Sequence, residues 1–326
     1  MRTTIGWRML GILGVAATLA CGPGGEGGTG SSSSGAACDP AAARYLLLGA
    51  GHDVGVAGWL TAFAEIHDVR KGNTAPPFEK ADFAQIESIY DASLAAAVQG
   101  ISGGPAWEPV DAGAAMDALI VAAIARGKDS QDATDIDELG QLIEKTLVRF
   151  LYLAMHRSMT VGADQARGWD EAFTLYGRSA DGTVNEFLAD EVAEYDADLS
   201  LAQNAKVFAA LVAGRCAVLS GDAAARAAQA AAAEEAVRSS FAYAAGKYFK
   251  ALSEGSMDRV QLAEGAMWFN IAEPWMRAHG KAAEADTVRN WLTPLLPGGA
   301  MATQPPDTAG AAAALAAMRS AYALTL

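Results

Sequence analysis

Apolar residues in this chain recur at three- and four-residue spacing, and over no useful length do they alternate strictly. That period predicts helices packed through one face and argues against sheet. Phe83, Ile86, Ile89, Tyr90 and Leu94 keep one face over 79–98. Met116, Leu119, Ile120 and Ile124 do so over 111–126, and Ile143, Leu147, Phe150, Leu151, Ala154 and Met155 over 135–159. Further helices are expected over 199–219, over the Ala-rich run 223–249, and over 259–279, where Pro274 should kink or end the helix. Asp135 with Glu138 approximates a capping box. Loops are expected at Pro76-Pro77, Gly103-Gly104-Pro105, Gly162, Asp181-Gly182, Ser220-Gly221, Glu254-Gly255 and Pro297-Gly298-Gly299. Long helices joined by short loops read as an all-α fold of antiparallel bundles.

A weak internal echo adds to this. An aromatic helix (Phe150 to His156) is followed after a loop by the run from Gly168 to Tyr176. A second aromatic helix (Phe241 to Phe249) is followed after a loop by the run from Leu262 to Phe269. The echo predicts a duplicated pair of bundles, with halves near 41–180 and 181–326 inside one helical domain over 41–326.

The first 40 residues read as an address. Arg2 and Arg8 precede a short apolar run, Met9 to Ala20, too short for a stable bilayer span. The run ends at Thr18-Leu19-Ala20-Cys21, similar to a bacterial lipoprotein cleavage box, although Thr18 stands where an apolar residue is usual. Residues 1–20 are therefore expected to be a signal peptide and Cys21 to be lipidated. Residues 21–40, Gly/Ser-rich after Cys21, form the expected flexible tether. The alternative is an ordinary cleaved signal that contains a cysteine. The expected location is the bacterial cell envelope. Two cysteines remain. Cys216 sits in an apolar helical pattern and is expected as a buried thiol, with a bridge to Cys38 as the alternative.

Charge narrows the partners. The net charge is −14, which argues against a nucleic-acid or anionic-lipid partner and leaves room for cations. The chain has no Gly-x-Ser-x-Gly elbow, no His-Glu-x-x-His and no phosphate loop, and its four histidines are scattered. No enzyme is expected.

What remains is rich in oxygen donors. Glu144, Tyr152 and His156 share one helix column. Asp170 and Glu171 fall at an expected helix start, with Tyr176 a little over a turn later. Glu264 takes the corresponding place in the second echo, and Glu87 with Tyr90 makes another acid–phenol pair. Carboxylate, phenolate and imidazole suit a hard ion such as ferric iron. Ordinary structural roles stand beside that reading: Asp170 and Glu171 as first-turn charges, Tyr152 and Tyr176 as core aromatics, His156 as a partner of the helix dipole.

The stretch 168–279 resembles the iron-assimilating, low-iron-inducible periplasmic protein family of green algae, which is related to phytotransferrin. The resemblance rests on Gly168-Trp169-Asp170-Glu171-Ala172-Phe173-Thr174-Leu175-Tyr176-Gly177, on 204–221, and on Ala263-Glu264-Gly265-Ala266-Met267-Trp268-Phe269 through Trp275. Ile89-Tyr90-Asp91 and the helix ending at His156 extend it upstream. It implies an exported all-helical protein that captures ferric iron, with carbonate as co-ligand, for an uptake partner in the envelope. The implied metal ligands are Asp170, Glu171, Tyr176, His156 and Glu264, with Tyr90. The chain departs from the family where Met116-Asp117 replaces a His-Asp pair and where Arg157-Ser158 follows His156 in place of an acidic residue. A looser resemblance is to imelysin-like helical surface proteins, whose Gly-x-His-x-x-Glu motif is missing at Gly51-His52-Asp53. An envelope interaction protein without a metal site is the alternative.

Overall fold

The computed structural model describes residues 38, 44–71, 78–102, 104–177, 186–295 and 306–326. The expected signal peptide, the lipidated Cys21 and the tether up to residue 37 lie outside the described residues.

Among the described residues there is no strand, and the chain is all-α. The helices are α1 (Val54–Lys71), α2 (Asp82–Ser93), α3 (Ala95–Gln99), α4 (Ala112–Asp129), α5 (Ala133–Thr160) and α6 (Gln165–Tyr176). They continue with α7 (Leu188–Leu199), α8 (Gln203–Ser220), α9 (Ala223–Ser253), α10 (Arg259–Ala278), α11 (Ala282–Leu295) and α12 (Thr308–Tyr322). None of them is long and apolar enough to cross a membrane.

Five of these helices start on the same device. Asp132, Asp164, Asp222, Asp258 and Asp307 each turn a carboxylate onto backbone N–H groups of the first turn of α5, α6, α9, α10 and α12. The cap satisfies an orphan donor and places negative charge at the positive end of the helix dipole. For α5 this corrects the sequence reading, because the cap is Asp132 and not Asp135. Asp135 and Glu138 instead accept from Arg259 Nη2, at 2.9 and 2.8 Å. The expected helix over 79–98 breaks at Leu94 into α2 and α3. Pro274 does not end α10, which runs on for one more turn to Ala278.

Helix α5 packs against α4, α6 and α10, and α9 packs against α8, α10 and α12. The two long helices also touch each other, and α1 lies along α2, α5 and α6. The buried side chains form one continuous core from Tyr45 to Leu324, so the stretches before and after residue 180 share it. Its largest members are aromatic. Phe241 stacks on Trp268 at 4.5 Å, Tyr195 meets the same indole edge-on at 5.7 Å, and Tyr45 stacks on Phe173 at 4.0 Å. Such pairs add about 0.5–1.5 kcal/mol beyond the area they bury.

Cys216 is not a free thiol. It is bonded to Cys38, 178 residues earlier. The contact is nonlocal: residues 45–52 are held on α6, α6 packs on α8, and α8 carries Cys216.

Close approach of α8 to α6 depends on Gly214. A Cβ there would stand 2.0 Å from the Trp169 ring, which is fully buried. Gly214→Ala should therefore destabilise the fold by about 1–3 kcal/mol, because a rigid indole in a filled core has nowhere to move. A lowered urea midpoint checks this; an unchanged midpoint would show that the core yields at this contact.

Candidate functional site

The residues expected to hold a metal are distributed among different hydrogen-bond groups. Asp170 lies in the middle of α6, not at its start, and its side chain is fully buried. It accepts from Leu48 N at 2.8 Å, Gly49 N at 3.0 Å and Tyr45 OH at 3.2 Å, and His52 Nδ1 lies 2.7 Å away. An ionised carboxylate only accepts, and these partners use its lone pairs. Asp170 thus fastens the segment 45–52 to the helical body. Glu171 pairs with Arg167 one turn back, at 2.8 Å. Tyr176 donates to Asn204 Oδ1 at 2.9 Å, and Tyr90 donates to Asp117 Oδ1 at 2.8 Å. Asp117, next to Met116, holds that phenol and also accepts from Gln99 Nε2 at 3.0 Å.

His156 has a buried Nδ1 with no partner, and burial pushes its pKa down to about 4. Tyr152, on the same helix column, donates to Glu234 Oε1 at 2.7 Å, while Glu144 turns to other helices. The column therefore does not act as one site. Burial raises the phenols of Tyr45, Tyr90, Tyr152, Tyr195, Tyr248 and Tyr322 above their ordinary range. Each of these would ionise only beside a strong positive charge. Among the described residues no three His, Cys, Asp or Glu side chains are grouped as the ligands of a bound ion would be.

Glu264 belongs to a different group, an ionic cluster inside the helical body. Arg70 of α1 binds Glu144 through its Nε, and His67 Nδ1 lies 3.5 Å from Glu144. The neighbouring Lys145 is 3.3 Å from Glu144 and also binds Glu191 of α7. Its ammonium sits 5.0 Å from the centre of the Trp268 ring. Glu191 has one oxygen on Lys145, while its other oxygen, Oε2, is buried without a partner. The phenols of Tyr195 and Tyr248 lie beside one another at this edge, and Tyr248 lies beside Glu264. Asp190 and the exposed Glu194 complete the edge of the cluster beside Glu191.

Inside the cluster, Glu144, Glu191 and Glu264 meet two buried cations, Arg70 and Lys145, while Asp190 and Glu194 at its edge also face Lys71, and Glu194 faces Lys247. The two best-placed carboxylates respond in opposite ways. Burial would raise Glu144, but Lys145 and Arg70 hold it well below the usual carboxylate range. Burial does raise Glu264, against the pull of Lys145 and the Tyr248 hydroxyl, and the charge of Glu191 adds to the rise. Burial and the Glu191 charge raise Asp190 likewise. One side of the cluster is thus a settled ion pair, and the other is an oxygen-rich wall in need of a cation or a proton.

Glu264 is the one expected ligand in this group. Arg70, Lys145, Glu191 and Tyr248 are not among the expected ligands. Each resembles an ordinary helix-face residue in a one-dimensional pattern. The available signal was the rarity of buried charge: Glu144-Lys145 interrupts the apolar face of α5, and such a pair demands partners from other helices.

The two carboxylates should answer substitution differently. Glu264 has a folded pKa above its unfolded value of 4.5, so its contribution is complete below that value and is lost as pH rises through the folded pKa. Glu264→Gln should raise the urea midpoint near neutral pH, with the gain vanishing once the native carboxyl is protonated. Glu144→Gln should cost about 3–5 kcal/mol at neutral pH, because it leaves Arg70 buried without its counter-charge. Paired denaturation curves across pH check both. Equal effects of the two variants would contradict the asymmetry.

No family model, curated protein or solved structure matches this chain.

Proposed function

We propose that this chain is an envelope-held lipoprotein whose helical body binds ferric iron, without catalysis, for transfer to an uptake partner. The observation that most supports the reading is the unmatched oxygen beside Glu264: Glu191 Oε2 is buried without a partner, and the phenols of Tyr248 and Tyr195 stand near it. Carboxylate and phenolate are the donors that a hard trivalent ion prefers. The resemblance of 168–279 to the iron-assimilating family supports the same ion, with carbonate completing its shell. Within the expected ligand set, Glu264 is the member we retain at the centre. Glu191 and Tyr248 join it. Asp170, Tyr176 and Tyr90 are tied into hydrogen bonds elsewhere in the fold, Glu171 pairs within its own helix, and His156 Nδ1 is buried without a partner.

A second reading is a helical envelope interaction protein with no metal site, imelysin-like or otherwise. It is favoured by Lys145, whose ammonium already fills the space between Glu144 and Glu191. The paired long-and-short helices α5–α6 and α9–α10, each with aspartate caps, support a duplicated architecture under either reading.

Ferric titration of the full chain separates the two. Iron supplied as the citrate complex should bind, release protons and give a visible tyrosinate band. Tyr248→Phe should remove or shift that band, Glu264→Gln should weaken binding by at least about tenfold, and Tyr176→Phe should change neither. A colourless, iron-free protein would establish the second reading. For the anchor, Cys21→Ser should release the chain from the membrane fraction; unchanged retention would reject lipidation at that residue.

A further inference from the structure

A cleft of about 590 Å³ opens between residues 107–111, α4, α5, α10 and α11. An inner chamber of about 190 Å³ lies between α4, α5 and α10 and shares Ala115, Arg149 and Asn270 with the cleft. The combined size falls in the range of small-molecule sites. Its lining charges run against the character of the chain. Lys145, Arg149, Arg277 and Arg289 face it, against the carboxylates of Asp111 and Glu273, in a protein of net charge −14.

Two buried donors on this lining have no acceptor: Arg149 Nε and Trp107 Nε1. Arginine and indole N–H groups can only donate, and a buried donor left unpaired costs about 1–3 kcal/mol. Arg149 gives its Nη2 to Glu108 and leaves Nε–H for something else. On the far side, Arg289 is fixed by Glu273 and Asn270, and Arg277 by Glu273 and Asp286. The cations are therefore held in place before any ligand arrives. Between them the walls are apolar and flat, made by Trp107, Pro109 and Pro274.

We infer that this cleft binds a small organic carboxylate, its carboxylate on Arg149 and Trp107 and its apolar body against Pro109 and Pro274. A guanidinium accepts carboxylate and phosphate alike, so the apolar walls make the choice: they give an organic acid surface to bury and leave inorganic phosphate with none. The proposal is independent of iron binding. It also gives Pro274 a purpose: a residue costly inside a helix stands where its ring forms part of a ligand wall.

Calorimetric titration of the full chain with 4-phenylbutyrate, 4-phenylbutyramide, citrate and inorganic phosphate tests it. The phenyl carboxylate should bind at least about tenfold more tightly than its neutral amide, and phosphate should not displace it. Ala115→Phe, at an exposed position shared by both chambers, should abolish binding while leaving the urea midpoint and any ferric titration unchanged. Asn270→Asp should weaken the carboxylate by about tenfold through like-charge repulsion. The proposal is overturned if the amide binds as well as the acid, if phosphate competes equally, if Ala115→Phe leaves the affinity intact, or if neither carboxylate binds at millimolar concentration.

Discussion

Helix α5 is buried along most of its length, yet it carries charge, and that constraint organises the molecule. The fully buried charges on it need partners within the protein, because water does not reach them. Glu138 takes Arg259 of α10, Glu144 takes Arg70 of α1, and Lys145 takes Glu191 of α7. Arg149 takes Glu108 of the segment before α4, and Tyr152 takes Glu234 of α9. Each partner comes from a different element. Apolar packing alone tolerates sliding and rotation of helices. A ladder of buried polar pairs along one central rod admits far fewer arrangements. Such pairs add little net stability and much specificity, since a wrong arrangement strands a charge in the core.

The same ladder accounts for the two features with functional content. At Lys145 the one ammonium serves Glu144 and a single oxygen of Glu191, which leaves Glu191 Oε2 unpaired beside Glu264. One turn further on, Arg149 has more donors than Glu108 accepts, which leaves the cleft in want of an anion. Lys145 borders both. Surplus acid and surplus base lie side by side on consecutive turns of one helix, and the chain keeps them apart by pairing each with a different neighbour.

Much of the architecture was legible from the sequence because helices are local. The spacing of Ile143, Leu147, Leu151 and Ala154 is enough to place α5, and the Ala-rich run is enough to place α9. The segments that escaped are α1, α7, α11 and α12; the last three span only 12, 14 and 15 residues, so few turns repeat the pattern. Pairing between distant elements was not legible. Glu144, Tyr152 and His156 share a column, but a helix packed on several sides turns successive residues of a column toward different neighbours. Asp170 reads as a first-turn charge only while the cap six residues earlier, Asp164, goes unnoticed. Cys38 and Cys216 gave no sign of proximity, since 178 residues separate them and the clasps of Asp170 on residues 45–52 and of Arg215 on Leu46 bring them together.

That bridge has a mechanical consequence. A tension applied to the chain ahead of residue 38 does not first peel away the segment 44–52 and then α1. It enters the body at Cys216, near the C-terminal end of α8, through a covalent link. The load then spreads into α9, the longest helix and the closest companion of α8. The hydrogen bonds that Asp170 makes to the entering segment are thereby shielded from strain, and a hauled molecule keeps its front edge folded.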